Sequence, residues 1–505
     1  MRFIVSESGQ GLPGSSDSFV ALIADKWNDH NFVTMFRSVL VSALGERFEL
    51  GQVKIAFQGQ EREFSTYSQI PHEFEVLTSK FFSLGTSVEY YKKISSLPSP
   101  MKDEYLMGLR DVVAYKELLN RAVVEEVFNV SLLREIGLNS VQSQFKRVLR
   151  GGDIHVDYSF SYLDEASDGL TNIKLDFDVN VDSSPPNNIH AIIGRNGVGK
   201  TTILNKIVES VRYNIPAYLY QRGVGGGRPL YANYFSGAVL VSFSAFDPFE
   251  PPVEQLDRTA GAFIHYIGLK TNANHKNHLK SREQLQAEFC TSLRACLKDS
   301  YKKLRWMSAI QTLEFDDNFK DVGLIELFQV DDAFLEEHAL GKFRALSSGH
   351  TIVLLSITKL VEVVEEKTLV LIDEPESHLH PPLLSAFVRA LSELLSDRNA
   401  LAILATHSPV VLQEIPRSCV WKVNRKGLAL CARRPDVETF GENVGVLTRE
   451  VFGLEGASAG YRTLLAAAVA EGLNYHEVMS RFDNCLGYEA QAVLRALISN
   501  RDTRR

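Results

Sequence analysis

The residues with the clearest chemical potential form a glycine-rich loop at 194–201, Gly-Arg-Asn-Gly-Val-Gly-Lys-Thr. The loop follows an apolar run at 190–193 and has the spacing G-x-x-x-x-G-K-[ST]. Glycines let a backbone wrap tightly, so successive N–H groups can point at one phosphate chain. A helix that begins after the loop adds a favourable dipole for the anion. The pattern predicts a nucleoside triphosphate site rather than an incidental glycine-rich turn.

Two side chains of this loop have predicted roles of their own. Lys200 should reach the β- and γ-phosphates, and the hydroxyl of Thr201 should ligate Mg²⁺. The residues predicted to hold the nucleotide are Gly194, Asn196, Gly197, Gly199, Lys200, Thr201 and Thr202.

A pair of carboxylates lies at the end of a second apolar segment. Residues 368–372 are continuously apolar and are followed by Asp373 and Glu374. A strand this apolar is typical of a parallel sheet buried on both faces, where ligands bind beyond the carboxyl ends of the strands. We therefore expect Asp373 to hold Mg²⁺ through water and Glu374 to polarise the attacking water.

Two further segments complete the candidate site. Ser347, Ser348 and Gly349 open a long apolar helix, which makes them either a second anion-binding helix end or an ordinary N-cap. Residues 401–405 form the next apolar strand, which ends at Thr406 and His407. Because His407 comes one strand after the carboxylates, we expect it to contact the γ-phosphate rather than to be a core histidine.

The overall composition limits what can position these groups. A chain of 505 residues exceeds one ordinary core, so two or three domains are expected. With 45% hydrophobic and 23% charged residues and a net charge of -8, it resembles a globular protein and is not a polycation made for nucleic acid. No segment approaches the roughly 18 apolar residues of a membrane span, and the five cysteines lack C-x-x-C spacing. The expected location is cytoplasmic, without a membrane partner.

Changes in periodicity divide the chain into three parts. Residues 1–150 are predicted to be a small α+β module, 151–438 an α/β nucleotide-binding domain with a helical insert at about 253–364, and 439–505 a helical tail. The tail is predicted to open with a capping box at Thr439.

Within the first module the period changes along the chain. Segments 32–36 and 53–57 alternate as strands do, whereas 73–82 and 101–149 have helical spacing. Residues 90–93, Tyr-Tyr-Lys-Lys, are either a helix flank with solvated lysines or a clamp for single-stranded nucleic acid.

The motifs at 194–201, 346–349, 369–381 and 406–407 together resemble an ABC-type ATPase head of the SMC/RecF/OLD-like group. In family terms they are the Walker A loop, the signature, Walker B with the D-loop, and the switch histidine. The sequence Asp-Glu-Pro-Glu-Ser-His-Leu-His-Pro is similar to the corresponding motif of bacterial OLD-like ATPases. Many of these ATPases serve anti-phage systems such as Septu and PARIS. The resemblance covers roughly residues 150 to 450.

This resemblance implies ATP sandwiched between two heads, in a homodimer or a larger even-numbered assembly. The phosphate loop of one subunit would face the 347–349 segment of the other. His378 and His380 are then D-loop residues at the subunit seam rather than a metal pair. The implied catalytic residues are Glu374, His407 and Lys200, with Thr201 and Asp373 as metal ligands and ATP and Mg²⁺ as cofactors.

Three departures from the family pattern bear on function. Residues 239–250 lack the usual Q-loop glutamine, and Ser244 or Asp247 are both candidates to replace it. The insert is too short for long coiled-coil arms, and the tail after 439 lacks the Asp-x-Asp pair of a TOPRIM nuclease.

The resulting hypothesis is a nucleotide-gated regulator in a prokaryotic defence system that controls a separate effector, a nuclease in the same operon. The alternative is a RecF-like ATPase of DNA maintenance that binds DNA directly. A transporter subunit is the weakest candidate, because residues 376–381 differ from transporter D-loops.

Overall fold

The N-terminal part of the chain is built on a six-stranded sheet. In this computed structural model its strands lie in the order β5-β1-β2-β3-β4-β6, and only β1 and β2 pair in parallel. The strands are β1 Arg2–Glu7, β2 Phe19–Ala24, β3 Met35–Val41, β4 Arg47–Phe57, β5 Glu73–Phe74 and β6 Phe81–Gly85. The structure describes residues 1–8, 17–25, 31–134, 136–164, 172–213, 218–222, 228–230, 234–242, 250–255, 262–271, 278–426, 429–452 and 460–503.

Helical segments cover this sheet and share one apolar core with it. They are α1 Val88–Ser95, α2 Ser99–Leu109, α3 Lys116–Ala122, α4 Leu138–Ser140 and α5 Lys146–Leu149, with π-helical turns at Phe128–Leu132 and Val141–Phe145. The helical expectation for 73–82 is wrong, because this segment supplies the edge strand β5 and the start of β6, which adds to β4.

The nucleic-acid clamp considered for residues 90–93 is also wrong. Tyr90 and Tyr91 are fully buried in the module core, and their rings contact each other edge to face. The Tyr91 hydroxyl donates to the carboxylate of Asp111 and accepts from the backbone N–H of Gly85. Because both rings are enclosed, no base can stack on them.

A seven-stranded sheet organises the middle of the chain. Its order is β12-β11-β15-β16-β9-β17-β18, and every neighbouring pair is parallel except β17 and β18. A three-stranded sheet, β10-β7-β8, packs over one face. The strands are β7 Tyr158–Asp164, β8 Ile173–Val179, β9 Ile189–Ile193, β10 Leu219–Gln221, β11 Gly237–Ser242, β12 Phe263–Gly268, β13 Lys270–Thr271, β14 His278–Leu279, β15 Thr368–Asp373, β16 Leu401–Thr406, β17 Val420–Lys426 and β18 Ala429–Arg433.

The strands β9, β15 and β16 are buried along their whole length, as their continuous apolar sequences require. This confirms the predicted α/β class with a P-loop head.

A helical layer covers the opposite face of this sheet. Its helices are α7 Arg282–Lys298, α8 Ser300–Leu313, α9 Asp317–Val322, α10 Asp332–Ala345, α11 Ser348–Val363, α12 Pro381–Arg398 and α13 Pro409–Gln413. Helix α6 Lys200–Tyr213 packs on the other face, in the core that it shares with the three-stranded sheet. The segment predicted as a helical insert is not helical at its start, because 263–268 is the edge strand β12 of the main sheet. The sequence from Ser281 to Trp306 has the spacing of one helix, but the structure divides it between α7 and α8, because Asp299 caps the start of α8.

The last part of the chain consists of α14 Val444–Phe452, α15 Tyr461–Ala470, α16 Tyr475–Arg481 and α17 Tyr488–Thr503. The last three share a small apolar cluster of their own. The predicted capping box at Thr439 is wrong, because the Thr439 hydroxyl donates to the carbonyl of Ile415 and the next helix begins five residues later. Among the described residues, no helix combines the length and the apolar character needed to cross a membrane.

The first module is anchored to the head just before β15. The buried carboxylate of Glu365 accepts hydrogen bonds from the backbone N–H of Gly137 and from the Ser140 hydroxyl, at 3.1 and 2.7 Å. The adjacent Glu366, also buried, forms an ion pair of 2.5 Å with Arg147. The short connection between α11 and β15 is therefore held by residues from the module.

Candidate nucleotide-binding site

The glycine-rich loop joins β9 to α6, as its sequence predicts. Gly197 and Gly199 have φ values of +79° and +101°, a region that side chains other than glycine rarely adopt. Gly194 is required for a different reason, since a Cβ there would lie 2.4 Å from the carbonyl oxygen of Val423. The Lys200 ammonium donates to the Gly194 carbonyl at 3.0 Å, inside the loop.

The loop and the first carboxylate are in direct contact. The Thr201 hydroxyl donates to Asp373 Oδ2 at 2.7 Å, although the two residues are 172 positions apart. Asp373 is buried at the end of β15, and β16 lies between this strand and β9. A hydroxyl and a carboxylate are hard oxygen donors of the kind that Mg²⁺ prefers, so the residues present fit this cation.

The environment of Lys200 suits an anionic ligand. Burial lowers the pKa of Lys200, while the carboxylates of Glu374 and Asp373 act in the opposite direction. This buried ammonium belongs to the first residue of α6, where the helix dipole favours phosphate oxygens. The remaining predicted residues, Asn196, Gly197, Gly199 and Thr202, lie in the loop after β9 or in the first turn of α6, and backbone N–H groups at the start of a helix can bind an anion.

Glu374 lies at a conformationally unusual position. Its φ and ψ are +46° and +60°, the left-handed region that costs a residue with a side chain about 1–2 kcal/mol. Its backbone N–H donates to the carbonyl of Ala405 on the neighbouring strand at 2.8 Å. The backbone of this acid is thus fixed against β16 at the edge of the sheet where the loop and Asp373 meet.

Glu376 is a functional candidate that the sequence analysis missed. Its carboxylate accepts from the Thr406 hydroxyl and from the His407 backbone N–H, both at 2.8 Å. Glu376 Oε1 also lies 3.0 Å from His407 Nδ1. The only signal in the sequence was its position two residues after Glu374, and nothing local indicated that it would hold the histidine.

The two partners affect each other's ionisation. Burial opposes ionisation of Glu376, but hydrogen bonds from His407 and Thr406 outweigh it and lower its pKa. The hydrogen-bonding contact with Glu376 raises the pKa of His407, with burial acting against it. His407 is half-buried at the carboxyl end of β16, so the structure brings it to the same edge as Lys200 and Asp373.

The serine–glycine segment lies at the start of α11. Ser347 is its N-cap residue, yet its side chain caps no backbone N–H, because its hydroxyl is hydrogen-bonded to His350 Nδ1 at 2.7 Å. Ser347 and Ser348 are exposed, and Gly349 is buried against the backbone of His378. The ordinary N-cap considered for this segment is therefore not formed by the side chain, and the serines are accessible to a ligand or a second subunit.

Other predicted residues are placed differently. Ser244 and Asp247, the candidates to replace the Q-loop glutamine, lie outside the described residues. Ser242, at the end of β11, is the register partner of Asp373 and lines a small cavity with Thr201 and Asp373. His380 Nε2 lies 3.4 Å from a carboxylate oxygen of Asp316.

Taken together, the loop, the two carboxylates and the histidine meet at the carboxyl ends of adjacent parallel strands. The head has a P-loop α/β fold. Comparison with known proteins identifies its relatives. Protein ea59 of Escherichia phage lambda is 44% identical to this chain over 521 residues, and the match covers 99% of each protein.

The chain belongs to the ea59 family. Residues 312–413 of this chain also match the family AAA_21, described as "AAA domain, putative AbiEii toxin, Type IV TA system". That segment runs from α8 to α13 and contains the serine–glycine segment, both carboxylates and His407.

Solved structures similar to the ea59-family chain include ATP-binding cassettes of transporters. The ADP conformation of one cassette is 14% identical, covers 56% of this chain and 93% of its own, and has a TM-score of 0.28. The protein cbiO1 from Clostridium perfringens, part of an ABC transporter complex, is 17% identical, covers 55% and 88%, and has a TM-score of 0.26.

Proposed function

We propose that this chain binds and hydrolyses ATP with Mg²⁺ and acts as a nucleotide-gated regulator of a separate effector. The observation that carries the proposal is the 2.7 Å hydrogen bond between Thr201 and Asp373, which joins the two halves of an oxygen-ligand cation site beside Lys200. Hydroxyl and carboxylate ligands next to a phosphate-binding loop are the arrangement that phosphoryl transfer from a nucleoside triphosphate requires.

The proposed roles follow from the positions of the groups. Lys200 neutralises phosphate charge, and Thr201 with Asp373 holds the cation that offsets charge on the β- and γ-phosphates. Glu374 accepts a proton from the attacking water, and its neighbours fix its backbone. His407, aligned by Glu376, donates to the γ-phosphate, and its raised pKa favours the charged form that does so best.

We further propose that two heads sandwich ATP, in a homodimer or a larger even-numbered assembly. The exposed Ser347 and Ser348 at the start of a 16-residue helix support this arrangement, since they are accessible to the nucleotide of a partner head. In the sandwich each subunit contributes its loop to one nucleotide and its serines to the other.

The effector and the defence role are the least direct parts of the proposal. They rest on the resemblance to OLD-like anti-phage ATPases and on the AAA_21 match, whose description names a toxin of a toxin–antitoxin system. The N-terminal module supports a coupling role, because it is joined to the connection between α11 and β15 through Glu365 and Glu366. A nuclease from the same operon is the proposed effector.

The variant Glu374→Gln tests both the proposed ATP hydrolysis and the proposed control of an effector. The amide keeps the shape of the acid but is a far poorer proton acceptor, so ATP binding should persist while turnover falls by at least about 100-fold. Wild-type turnover by this variant would remove Glu374 from the mechanism. The ATP-loaded variant is also the bait for operon neighbours, and DNA cleavage is then assayed with ATP and ADP.

Direct DNA binding is the competing outcome of that experiment. Cleavage or tight DNA binding by this chain alone would favour the RecF-like alternative over a regulator. Tyr90 and Tyr91 do not support that alternative, because both rings are buried.

The sandwich has its own test with two inactive variants. Ser348→Arg should block the exposed helix end, whereas Lys200→Ala should impair the loop. In a mixed dimer, one composite site has an intact loop from the first variant and intact serines from the second. Partial recovery of ATPase activity is expected on mixing, and mixed dimers without any recovery would contradict shared sites.

A further inference from the structure

Three side chains from separate elements converge at the start of α11. Asp316 precedes α9, His350 lies in the first turn of α11, and His380 precedes α12. His350 Nε2 lies 2.9 Å from Asp316 Oδ1, and His380 Nε2 lies 3.4 Å from Asp316 Oδ2. One potential ligand atom from each residue lies within 4.8 Å of the other two.

The geometry points to a binding site for a divalent transition-metal cation such as Zn²⁺, formed by Asp316, His350 and His380. Two imidazoles and a carboxylate are the ligand set of zinc rather than of Mg²⁺, which prefers oxygen ligands and retains water. In a tetrahedral zinc site with bonds of about 2.0–2.1 Å, neighbouring ligand atoms lie about 3.3 Å apart. The two distances run to different oxygens of Asp316 and lie close to that value, and no two of the three ligand atoms are more than 4.8 Å apart, so moderate shifts bring them around one cation.

The surroundings of His350 fit a ligand role. His350 and Asp316 are buried, and the other ring nitrogen, Nδ1, is hydrogen-bonded to the Ser347 hydroxyl at 2.7 Å. A metal-binding histidine normally donates its second ring N–H to such an acceptor, which fixes the tautomer and the ring orientation. With the proton on Nδ1, the lone pair of Nε2 is directed toward Asp316 and a shared cation.

His380 provides access from solvent and requires one adjustment. Its ring is about half exposed, which leaves room for water as a fourth ligand. Its Nδ1 accepts a weak 3.4 Å hydrogen bond from the backbone N–H of Leu383. Coordination through Nε2 puts the ring proton on Nδ1, so this long contact is given up when the cation binds.

The competing arrangement is a hydrogen-bonded cluster without a metal, in which both imidazoles donate to the Asp316 carboxylate. The two arrangements differ in composition and tautomer, because one contains a cation and carries each ring proton on Nδ1, whereas the other carries each ring proton on Nε2. Metal binding should tie the serine–glycine segment to the turn that follows Glu374.

The test uses the full-length protein, stripped of metal with a chelator and titrated with Co²⁺ in excess Mg²⁺. We expect one Co²⁺ per chain, with the intense visible absorption of a four-coordinate site, and displacement by Zn²⁺. His380→Ala should weaken binding on the order of 100-fold or more and abolish the visible band, without disturbing the core because its ring is half exposed. Asp316→Asn should also weaken Co²⁺ binding and abolish the visible band, and circular dichroism checks that this variant folds.

His338→Ala is the matched control, because this exposed histidine lies on α10 and is absent from the cluster. It should leave the Co²⁺ titration unchanged. Absence of a saturable band, or an equal band in His380→Ala, would overturn the proposal in favour of the metal-free cluster. A sulfur-to-cobalt band that disappears on replacing Cys431 or Cys485, the exposed cysteines, would overturn it as well.

Discussion

Replacing Glu376 with glutamine tests how firmly the site holds His407. The wild-type carboxylate is 12% exposed and accepts from Thr406 Oγ1 and the His407 backbone N–H, both at 2.8 Å. Glutamine has the same shape but only one acceptor oxygen, and its NH₂ group must face one of the two donors. The substitution thus removes one charge-assisted hydrogen bond and the ion pair with the histidine ring.

The expected loss of stability follows from these contacts. A hydrogen bond to a charged group contributes about 1.5–3 kcal/mol. The Thr406 hydroxyl can rotate to accept from the new amide, although it already accepts from Ser408 N–H at 2.9 Å. We therefore expect a decrease of about 2 kcal/mol in the free energy of unfolding, and a lower pKa for His407.

The loss should depend on pH, and the sign follows from the two shifts. The raised pKa of His407 stabilises the fold below the ordinary value of 6.5, and this contribution disappears as pH rises through the folded-state pKa. The lowered pKa of Glu376 stabilises the fold above the ordinary value of 4.5, and this contribution is lost as pH falls through the folded-state pKa. The loss in unfolding free energy caused by Glu376→Gln should therefore be largest between pH 4.5 and pH 6.5 and smaller in alkaline solution.

Urea unfolding at about pH 5.5 and about pH 9, with NMR titration of the His407 ring, measures both effects. The control is Glu126→Gln, which breaks an exposed ion pair with Arg62 and should cost about 0.5 kcal/mol or less. An equal cost for the two variants, or an unchanged His407 titration, would refute the role assigned to Glu376.

Two other substitutions test separate features. Gly194→Ala should abolish ATP binding and lower the free energy of unfolding by about 1–3 kcal/mol, because its Cβ would lie 2.4 Å from the Val423 carbonyl oxygen. A fluorescent ATP analogue measures the binding and urea unfolding measures the stability. Wild-type ATP binding by this variant would contradict the close approach. Burial raises the pKa of Asp111 to about 6, so stability should fall as pH rises from about 4 through 6, since the folded state binds the extra proton. Asp111→Asn should flatten that part of the urea-unfolding profile, and an unchanged slope would assign it to another group.

The parts of the site that the sequence predicted are those encoded locally. The loop at 194–201 and the strand ending in Asp373 are each a short run whose residue types require one environment, so strand, turn and chemistry could be read together. Their meeting through Thr201 followed from the rule that ligands lie beyond the carboxyl ends of parallel strands.

The features that could not be predicted depend on distant neighbours. Asp316 is an ordinary helix N-cap in sequence, and only the fold brings it to His350 and His380. Tyr90 and Tyr91 looked like a surface patch because lysines follow them, whereas the sheet encloses both rings. The strand β5 is two residues long and is held by its partner β1, so its own sequence carries almost no signal.

The anchoring of Glu365 and Glu366 limits how this protein can be divided. Both carboxylates are buried directly before the strand that ends in Asp373, and residues 137–147 supply donors to each of them. A chain shortened by its first 150 residues would lose those donors together with the surface that covers the two acids. The head is thus not a portable unit, because a head transferred without the module would also need other residues at these two glutamates.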